Sequence, residues 1–173
     1  MKCIVLGMHV SEKYGHTLDV IKKDGFSVIE GSEDVMENTS NSFEVSIAMG
    51  NSTKLMAEIL HNNPFDLILC LGDRYEMFAA VSAIIPFNIP IAHIHGGELS
   101  AGAIDERFRH AISKLSDYHF TTCIEYMNRV VQMGAAPERV FNVGALGLDN
   151  IFEMDLLSKN ELEKDLEIDS DKE

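Results

Sequence analysis

The chain has 173 residues, 46% of them hydrophobic, which is typical of a single globular domain. Its 28 acidic against 14 basic residues give a formal charge of −14, which argues against a nucleic-acid-binding surface because phosphate contacts need clustered Lys and Arg. No apolar run approaches the roughly 20 residues of a membrane helix, and the N-terminus lacks the apolar region of a secretory signal, so we expect a soluble, cytoplasmic protein without membrane partners.

Short apolar runs alternate along the chain with longer stretches of helical spacing. The predicted strands are, in chain order, KCIVLG, FDLILCLG, IPIAHIHG, YHFTTC and RVFNVG. The predicted helices cover residues 12–24, 43–62, 74–86, 104–116, 125–134 and a stretch after Gly147. Continuous apolar runs are typical of strands buried on both faces of a parallel sheet. The pattern therefore predicts an open α/β domain, in which ligands bind at the carboxyl ends of the strands.

The cysteines give little support for a disulfide framework or a zinc site. Cys3, Cys70 and Cys123 are odd in number, far apart, and each lies in or beside an apolar segment. We expect them to be buried free thiols.

The motif LGDR places a carboxylate where a predicted strand becomes a helix. Asp73 at this position is available as an acid, a base or an orienting group. It could equally cap the helix through the backbone N–H groups of the first turn. The motif alone does not decide between these two roles.

The motif HIHGGE follows the next predicted strand. Side chains alternate along a strand, so His93 and His95 are expected on the same face, and Gly96 and Gly97 permit a sharp turn. One interpretation is a metal-dependent hydrolase whose ligands are His93, His95, Asp73 and His110, with Glu98 as a further candidate. In the other, His93 is buried and hydrogen-bonded, and only His95 and Glu98 lie in a cleft.

The segment AIDERFRHAISKLS predicts an amphipathic helix. Its apolar stripe is Ile104, Phe108, Ile112 and Leu115. Asp105, Arg109 and Ser113 share another face, with Glu106 and His110 beside it. Asp105 and Arg109 could form an ordinary surface ion pair, but their position next to the Gly-Gly loop favours a functional role.

The segment GAAPERVFNVGALGLDN predicts a strand followed by a glycine-flanked turn into a helix. Such a turn, at Gly144 and Gly147, can receive an anion or a sugar. The spacing is not that of the dinucleotide-binding fingerprint, which requires G-x-G-x-x-G.

Taken in order, LGDRYEMFAAVSA, IPIAHIHGGELSAGAIDERFRHAISKLSDYHFTT and RVFNVGALGLDNI resemble the hydrolysing UDP-N-acetylglucosamine 2-epimerases of sialic- and legionaminic-acid-type biosynthesis. The resemblance extends to about residue 151 and implies part of the N-terminal, Rossmann-like domain of a GT-B-like two-domain enzyme. It implies a domain over 1–158 that lacks its first strand, an acidic tail over 159–173, and no second domain. A chain without its first, central strand is expected to be poorly stable or inactive alone.

The resemblance also implies a mechanism. A UDP-sugar substrate loses UDP by anti elimination with loss of the C2 proton, and the resulting glycal is hydrated to a manno-configured sugar. Side chains can handle the proton and the leaving group, so no metal or redox cofactor is expected. The full-length protein is expected to be a homo-oligomer.

The family pattern assigns roles to individual residues. Asp73 and Asp105 match carboxylates assigned to catalysis. His95 stands where many members have Glu in His-Ile-Glu-Gly-Gly-Glu, so either His95 keeps that role or Glu98 takes it. The change suggests a bacillosamine-type sugar. The candidate substrate contacts are Arg74, Arg109, His110 and Gly144. A non-enzymatic alternative is a truncated module that binds a partner chain.

Overall fold

The computed structural model describes residues 1–31, 41–154 and 156–168. The chain divides into two compact units, Met1–Val143 and Gly144–Glu173. Within the described residues, the first unit contains six parallel strands, two in one sheet and four in another. The predicted fold class, an α/β domain with parallel strands flanked by helices, is confirmed.

The two-stranded sheet pairs β1 (Lys2–Val5) with β2 (Ser27–Glu30). The run KCIVLG predicted β1, whereas β2 was not predicted from the sequence. Between them the predicted helix over 12–24 is largely wrong. Glu12–Tyr14 is one short 3₁₀ turn, and α1 covers only Leu18–Lys23. Gly15 and His16 both have positive φ angles, a conformation that a right-handed helix cannot include.

The four-stranded sheet has strands in sequential order joined by helices. Its strands are β3 (Ile68–Leu71), β4 (Ile91–Ile94), β5 (Tyr118–Thr121) and β6 (Val140–Asn142). Its helices are α3 (Tyr75–Ile84), α4 (Asp105–Leu115) and α5 (Ile124–Gln132), preceded by the long α2 (Ser42–Asn62). Short 3₁₀ turns at Ile85–Phe87 and Pro137–Arg139 precede β4 and β6.

The main core lies where α2, α3 and α4 pack on β3 and β4. Its fully buried members include Met56, Val81, Ile84, Ile91 and Ile112. Central strand β4 is buried along most of its length, whereas Leu69 and Leu71 of β3 are 55% and 52% exposed. Among the described residues, β3 pairs with β4 alone and so forms an edge of this sheet.

The apolar stripe predicted for α4 is correct only in part. Ile112 is fully buried and Phe108 and Leu115 are half-buried, but Ile104 is 63% exposed. The helix begins at Asp105, so Ile104 lies before its first turn and does not follow the helical spacing.

The second unit contains α6 (Gly147–Glu153) and α7 (Lys159–Leu166). Ser158 and Glu161 form a capping box, in which each side chain bonds the other residue's backbone N–H, and this defines the start of α7. The helix thus occupies the first part of the predicted acidic tail. Residues 169–173 of that tail lie outside the described residues.

All three cysteines are free, as expected. Only Cys70 is buried, and burial raises the pKa of its thiol to about 12, while Cys3 and Cys123 are half-buried. In the described part of the chain, no helix is both long and apolar enough to cross a bilayer.

Candidate functional site

The candidate residues follow the strands of the four-stranded sheet. Because β3, β4 and β5 are parallel neighbours, the loops after them emerge at one edge. Asp73 follows β3, His95 and Glu98 follow β4, and Thr122 follows β5. The sheet therefore brings together residues that are up to about fifty positions apart.

Asp73 is held by Arg109, and not by the helix that follows it. Arg109 Nη2 donates to Asp73 Oδ2, and its Nη1 donates to Ser100 Oγ at 3.1 Å. Arg109 is only 7% exposed, whereas the Asp73 side chain retains 23% of its exposure. The cap position of α3 is taken by Arg74, so the helix-capping interpretation of Asp73 is wrong. The arrangement fixes one carboxylate oxygen and leaves the carboxylate accessible.

The alternative of an ordinary surface ion pair between Asp105 and Arg109 does not fit the structure. Arg109 lies on the buried side of α4 and pairs with Asp73, which is 36 residues away in sequence. Asp105 is the first residue of α4 and is half-buried.

His95 and Glu98 form a second hydrogen-bonded group. His95 Nδ1 lies 2.7 Å from Glu98 Oε1, which also accepts from Thr122 Oγ1 at 3.0 Å. Both side chains remain about a quarter exposed, at 27% and 23%. With Nδ1 donating to the carboxylate, Nε2 is the nitrogen that can exchange a proton with a bound molecule.

His95 has a φ of +65°, so it no longer belongs to the strand. β4 ends at Ile94, and the period-two expectation that His93 and His95 share a surface therefore fails. His, Asn and Asp are the non-glycine residues that most often adopt this left-handed conformation. Non-glycine residues in this sparsely populated conformation cluster at functional sites.

The two glycines after His95 are required by packing. A Cβ on Gly96 would lie 2.9 Å from Ser113 Oγ, and one on Gly97 would lie 2.6 Å from the Tyr126 carbonyl oxygen. Gly97 also has a φ of +78°, and its carbonyl accepts from Arg129 Nη1. The loop that carries His95 and Glu98 is therefore anchored against α4 and α5.

His110 lies at the outer end of the Asp73 network. Glu106 Oε2 accepts from the Ser100 backbone N–H at 3.0 Å, and Glu106 Oε1 lies 4.0 Å from His110 Nε2. Burial lowers the pKa of His110, against the raising effect of Glu106. His110 Nδ1 is buried and has no protein partner in the described residues.

Arg74 contacts Glu76 and Tyr75 in this structure. Its Nε donates to Glu76 at 3.2 Å, and its guanidinium lies 5.6 Å from the centre of the Tyr75 ring. The Arg74 side chain is half-exposed, so a substrate contact remains a prediction. Gly144, the other predicted contact outside this network, belongs to the second unit and has a φ of +83°.

The ligand set of the metal-hydrolase interpretation is not assembled. His93 Nε2 lies 3.0 Å from the Gly72 carbonyl oxygen and its Nδ1 lies 3.1 Å from Ser113 Oγ, so both ring nitrogens are occupied. In residues 1–31, 41–154 and 156–168, no group of three or more His, Cys, Asp or Glu side chains could hold a metal ion. The arrangement of a buried, hydrogen-bonded His93 with an accessible His95 and Glu98 fits the structure instead.

Several residues of the site could not be found by motif reading. Ser100, Thr122 and Arg129 each donate or accept a hydrogen bond that orients the loops. Glu76 is buried against Gly7, whose added Cβ would lie 3.1 Å from Glu76 Cγ. These contacts join residues that are far apart in sequence, so spacing carries no signal for them.

The sequence profile of the UDP-N-acetylglucosamine 2-epimerases matches residues 1–173. The chain belongs to the UDP-N-acetylglucosamine 2-epimerase family. This confirms the family resemblance of the three motifs, including those that carry Asp73, His95 and Asp105.

Curated relatives in this epimerase family are similar over nearly the whole chain. The UDP-N,N'-diacetylbacillosamine 2-epimerase (hydrolyzing) of Legionella pneumophila is 40% identical over 168 residues, which is 97% of this chain and 44% of the relative. The polysialic acid biosynthesis protein P7 of Escherichia coli is 40% identical over 92% of this chain and 40% of its own length. The chain thus spans less than half the length of these relatives.

The fold agrees with that of a solved epimerase. The structure of UDP-GlcNAc 2-epimerase from Neisseria meningitidis bound to UDP-GlcNAc matches with a TM-score of 0.70 at 18% identity. The match covers 95% of this chain and 45% of that one. At this identity the comparison supports the shared fold.

Proposed function

We propose that this chain carries catalytic residues of a hydrolysing UDP-sugar 2-epimerase. The observation that supports it best is the placement of two proton-transfer groups at neighbouring strand ends. Asp73 is held by Arg109, and His95 is held by Glu98. General acid–base catalysis needs such groups to be oriented and accessible at once.

The proposed reaction proceeds in two steps. In the first, a base takes the C2 proton, its electron pair forms the C1–C2 double bond, and the C1–oxygen bond breaks to release UDP. In the second, water adds its oxygen to C1, and a proton returns to C2 on the opposite face. The products are UDP and the manno-configured sugar, and the chemistry needs only positioned side chains and water.

His95 is the proposed base in the first step. Its neutral ring can take a proton on Nε2, and the carboxylate of Glu98 at Nδ1 stabilises the imidazolium that forms. Asp73, paired with Arg109, is suited to accept a hydrogen bond from water or from a sugar hydroxyl. Asp105, at the start of α4, is the third candidate for proton transfer. Arg74, Arg109, His110 and Gly144 remain proposed substrate contacts.

The proposed substrate is a UDP-N,N'-diacetylbacillosamine-type sugar. The Legionella relative that acts on this sugar by its name is 40% identical to the chain. The imidazole at position 95, where many members carry Glu, is the residue to which we assign the change of substrate. Action in the cytoplasm, expected from the sequence composition, and a homo-oligomeric full-length state remain predictions.

The chain spans 44% of the Legionella relative, so the assay is done with the rest of that enzyme present. A chimera is made in which the chain replaces the matching 168-residue segment of the Legionella relative. We expect it to release UDP from UDP-N,N'-diacetylbacillosamine faster than from UDP-N-acetylglucosamine. A folded chimera that releases UDP from neither sugar would contradict the proposed function.

The substitution His95→Glu tests the substrate assignment. We expect the ratio of kcat/KM for the two sugars to move toward UDP-N-acetylglucosamine. The matched control is His61→Glu, which makes the same change at an exposed histidine near the end of α2. If His95→Glu and His61→Glu give the same ratio of kcat/KM for the two sugars, the assignment of substrate preference to His95 is wrong.

A further inference from the structure

His93 of β4 hydrogen-bonds Ser113 of α4 and is completely buried. Its Nε2 lies 3.0 Å from the carbonyl oxygen of Gly72, and its Nδ1 lies 3.1 Å from Ser113 Oγ. Burial lowers its pKa to about 4, although the hydrogen bond to Gly72 raises it. The ring is therefore neutral at physiological pH.

The partners of the neutral ring define its tautomer. A carbonyl oxygen can only accept, so Nε2 carries the proton and donates to Gly72. Nδ1 is then the acceptor of a hydrogen bond that the hydroxyl group of Ser113 donates, and Ser113 is itself buried. Gly96 packs against both groups, since a Cβ there would lie 3.0 Å from His93 Nδ1. Ring orientation and tautomer are thus both fixed.

The contact of His93 with Gly72 bears directly on Asp73. Gly72 has a φ of +100°, and its peptide group leads into Asp73. The carboxylate of Asp73 is fixed at its other end by Arg109. The direction of Asp73 is therefore determined by two independent hydrogen bonds, one to the backbone before it and one to its side chain.

We propose that His93 is a positioning residue, which orients Asp73 for the reaction by donating its Nε2–H to the Gly72 carbonyl, with Ser113 holding the required tautomer. The proposal rests on the proposed role of Asp73 in the epimerase reaction. His93 touches neither substrate nor water in this role. It acts through the geometry of the residue that does.

Two amide substitutions separate positioning from packing. In His93→Gln the side-chain NH₂ can reach the place of Nε2 and donate to Gly72. In His93→Asn the shorter amide reaches only the place of Nδ1, next to Ser113. In the chimera described above we expect His93→Asn to lower kcat about 100-fold with KM changed less than about threefold, because a misplacement of roughly 1 Å costs about this much.

His93→Gln is expected to recover kcat to within about fivefold of the parent, since the donor to Gly72 is restored. Equal losses in the two variants, or a loss that appears in KM alone, would overturn the positioning role. Ser113→Ala, which leaves Nε2 in place but frees the tautomer, should fall between the parent and His93→Asn.

A second measurement on the chain itself does not depend on catalysis. Nitrogen-15 NMR should show His93 protonated on Nε2 only. The backbone order parameters at Gly72 and Asp73 should fall from about 0.85 toward 0.6 in His93→Asn but not in His93→Gln. Unchanged order in both variants would overturn the proposal even where the chimera is active. An inactive parent chimera would contradict the proposed function, and the NMR comparison would still decide the role of His93.

Discussion

His93 and His95 are two positions apart in one motif, yet they occupy opposite environments. His93 lies in the layer between β4 and α4, is fully buried, and has both ring nitrogens bonded. His95 lies past the strand end with a φ of +65° and is 27% exposed, and one of its ring nitrogens is hydrogen-bonded to Glu98. Burial and the position of the strand end, and not residue type or spacing, therefore separate the enclosed histidine from the accessible one.

The largest expected difference between the two positions is in stability. His93→Ala leaves a cavity and two buried groups without partners, and should lower the free energy of unfolding by about 3 to 4 kcal/mol. His95→Ala removes one partly exposed hydrogen bond, the one to Glu98, and should cost less than about 1 kcal/mol. Urea unfolding of the two variants, followed by circular dichroism, measures both. A loss of stability for His95→Ala as large as that for His93→Ala would contradict the different contributions that we assign to the two histidines.

The loop that carries His95 can be tested through its glycines. Gly97→Ala adds a Cβ that would lie 2.6 Å from the Tyr126 carbonyl, at a φ of +78°. Gly102→Ala meets open space at a φ of +84° and serves as the matched control. We expect a loss of about 3 kcal/mol for Gly97→Ala and about 1 kcal/mol for Gly102→Ala, the difference being the cost of the clash. Equal losses in thermal or urea unfolding would show that the loop is not anchored on α5.

The buried histidine should also make stability depend on pH. The pKa of His93 is lowered from 6.5 to about 4, so between these values the unfolded state binds more protons than the folded state. Its stabilising contribution is thus complete above pH 6.5 and is lost as the pH falls toward 4. The expected loss between pH 7 and pH 4.5 is about 2 kcal/mol.

The pH effect is measured as a difference between proteins. Unfolding of the parent chain and of His93→Gln at several pH values isolates the contribution of position 93, since other titrating groups are shared. A parent chain that loses no more stability than His93→Gln over this range would show that His93 is not held neutral by burial.

The sequence predicted the framework of the site well. The continuous apolar runs correctly located β3, β4, β5 and β6, and parallel order then brought Asp73, His95 and Glu98 to one sheet edge. β2 was missed because Ser27–Glu30 is only partly buried and has only two apolar residues, Val28 and Ile29, between polar ones.

The pairings inside the site could not be predicted. Helical spacing offered Asp105 as a partner for Arg109, but Arg109 lies on the buried side of α4 and pairs with Asp73. His95 was expected on the same face as His93 because side chains alternate along a strand, but β4 ends at Ile94, one residue before His95. Spacing rules hold within one element, whereas these contacts depend on where elements end and what they pack against.

The exposed leucines of β3 bear on the self-association of this chain at high concentration. An edge strand with Leu69 and Leu71 more than half exposed offers both backbone hydrogen-bonding groups and apolar side chains to another molecule. Such edges promote strand-to-strand association between copies, and self-association grows with concentration. We therefore expect β3, the strand that leads into Asp73, to promote self-association of the chain at high concentration.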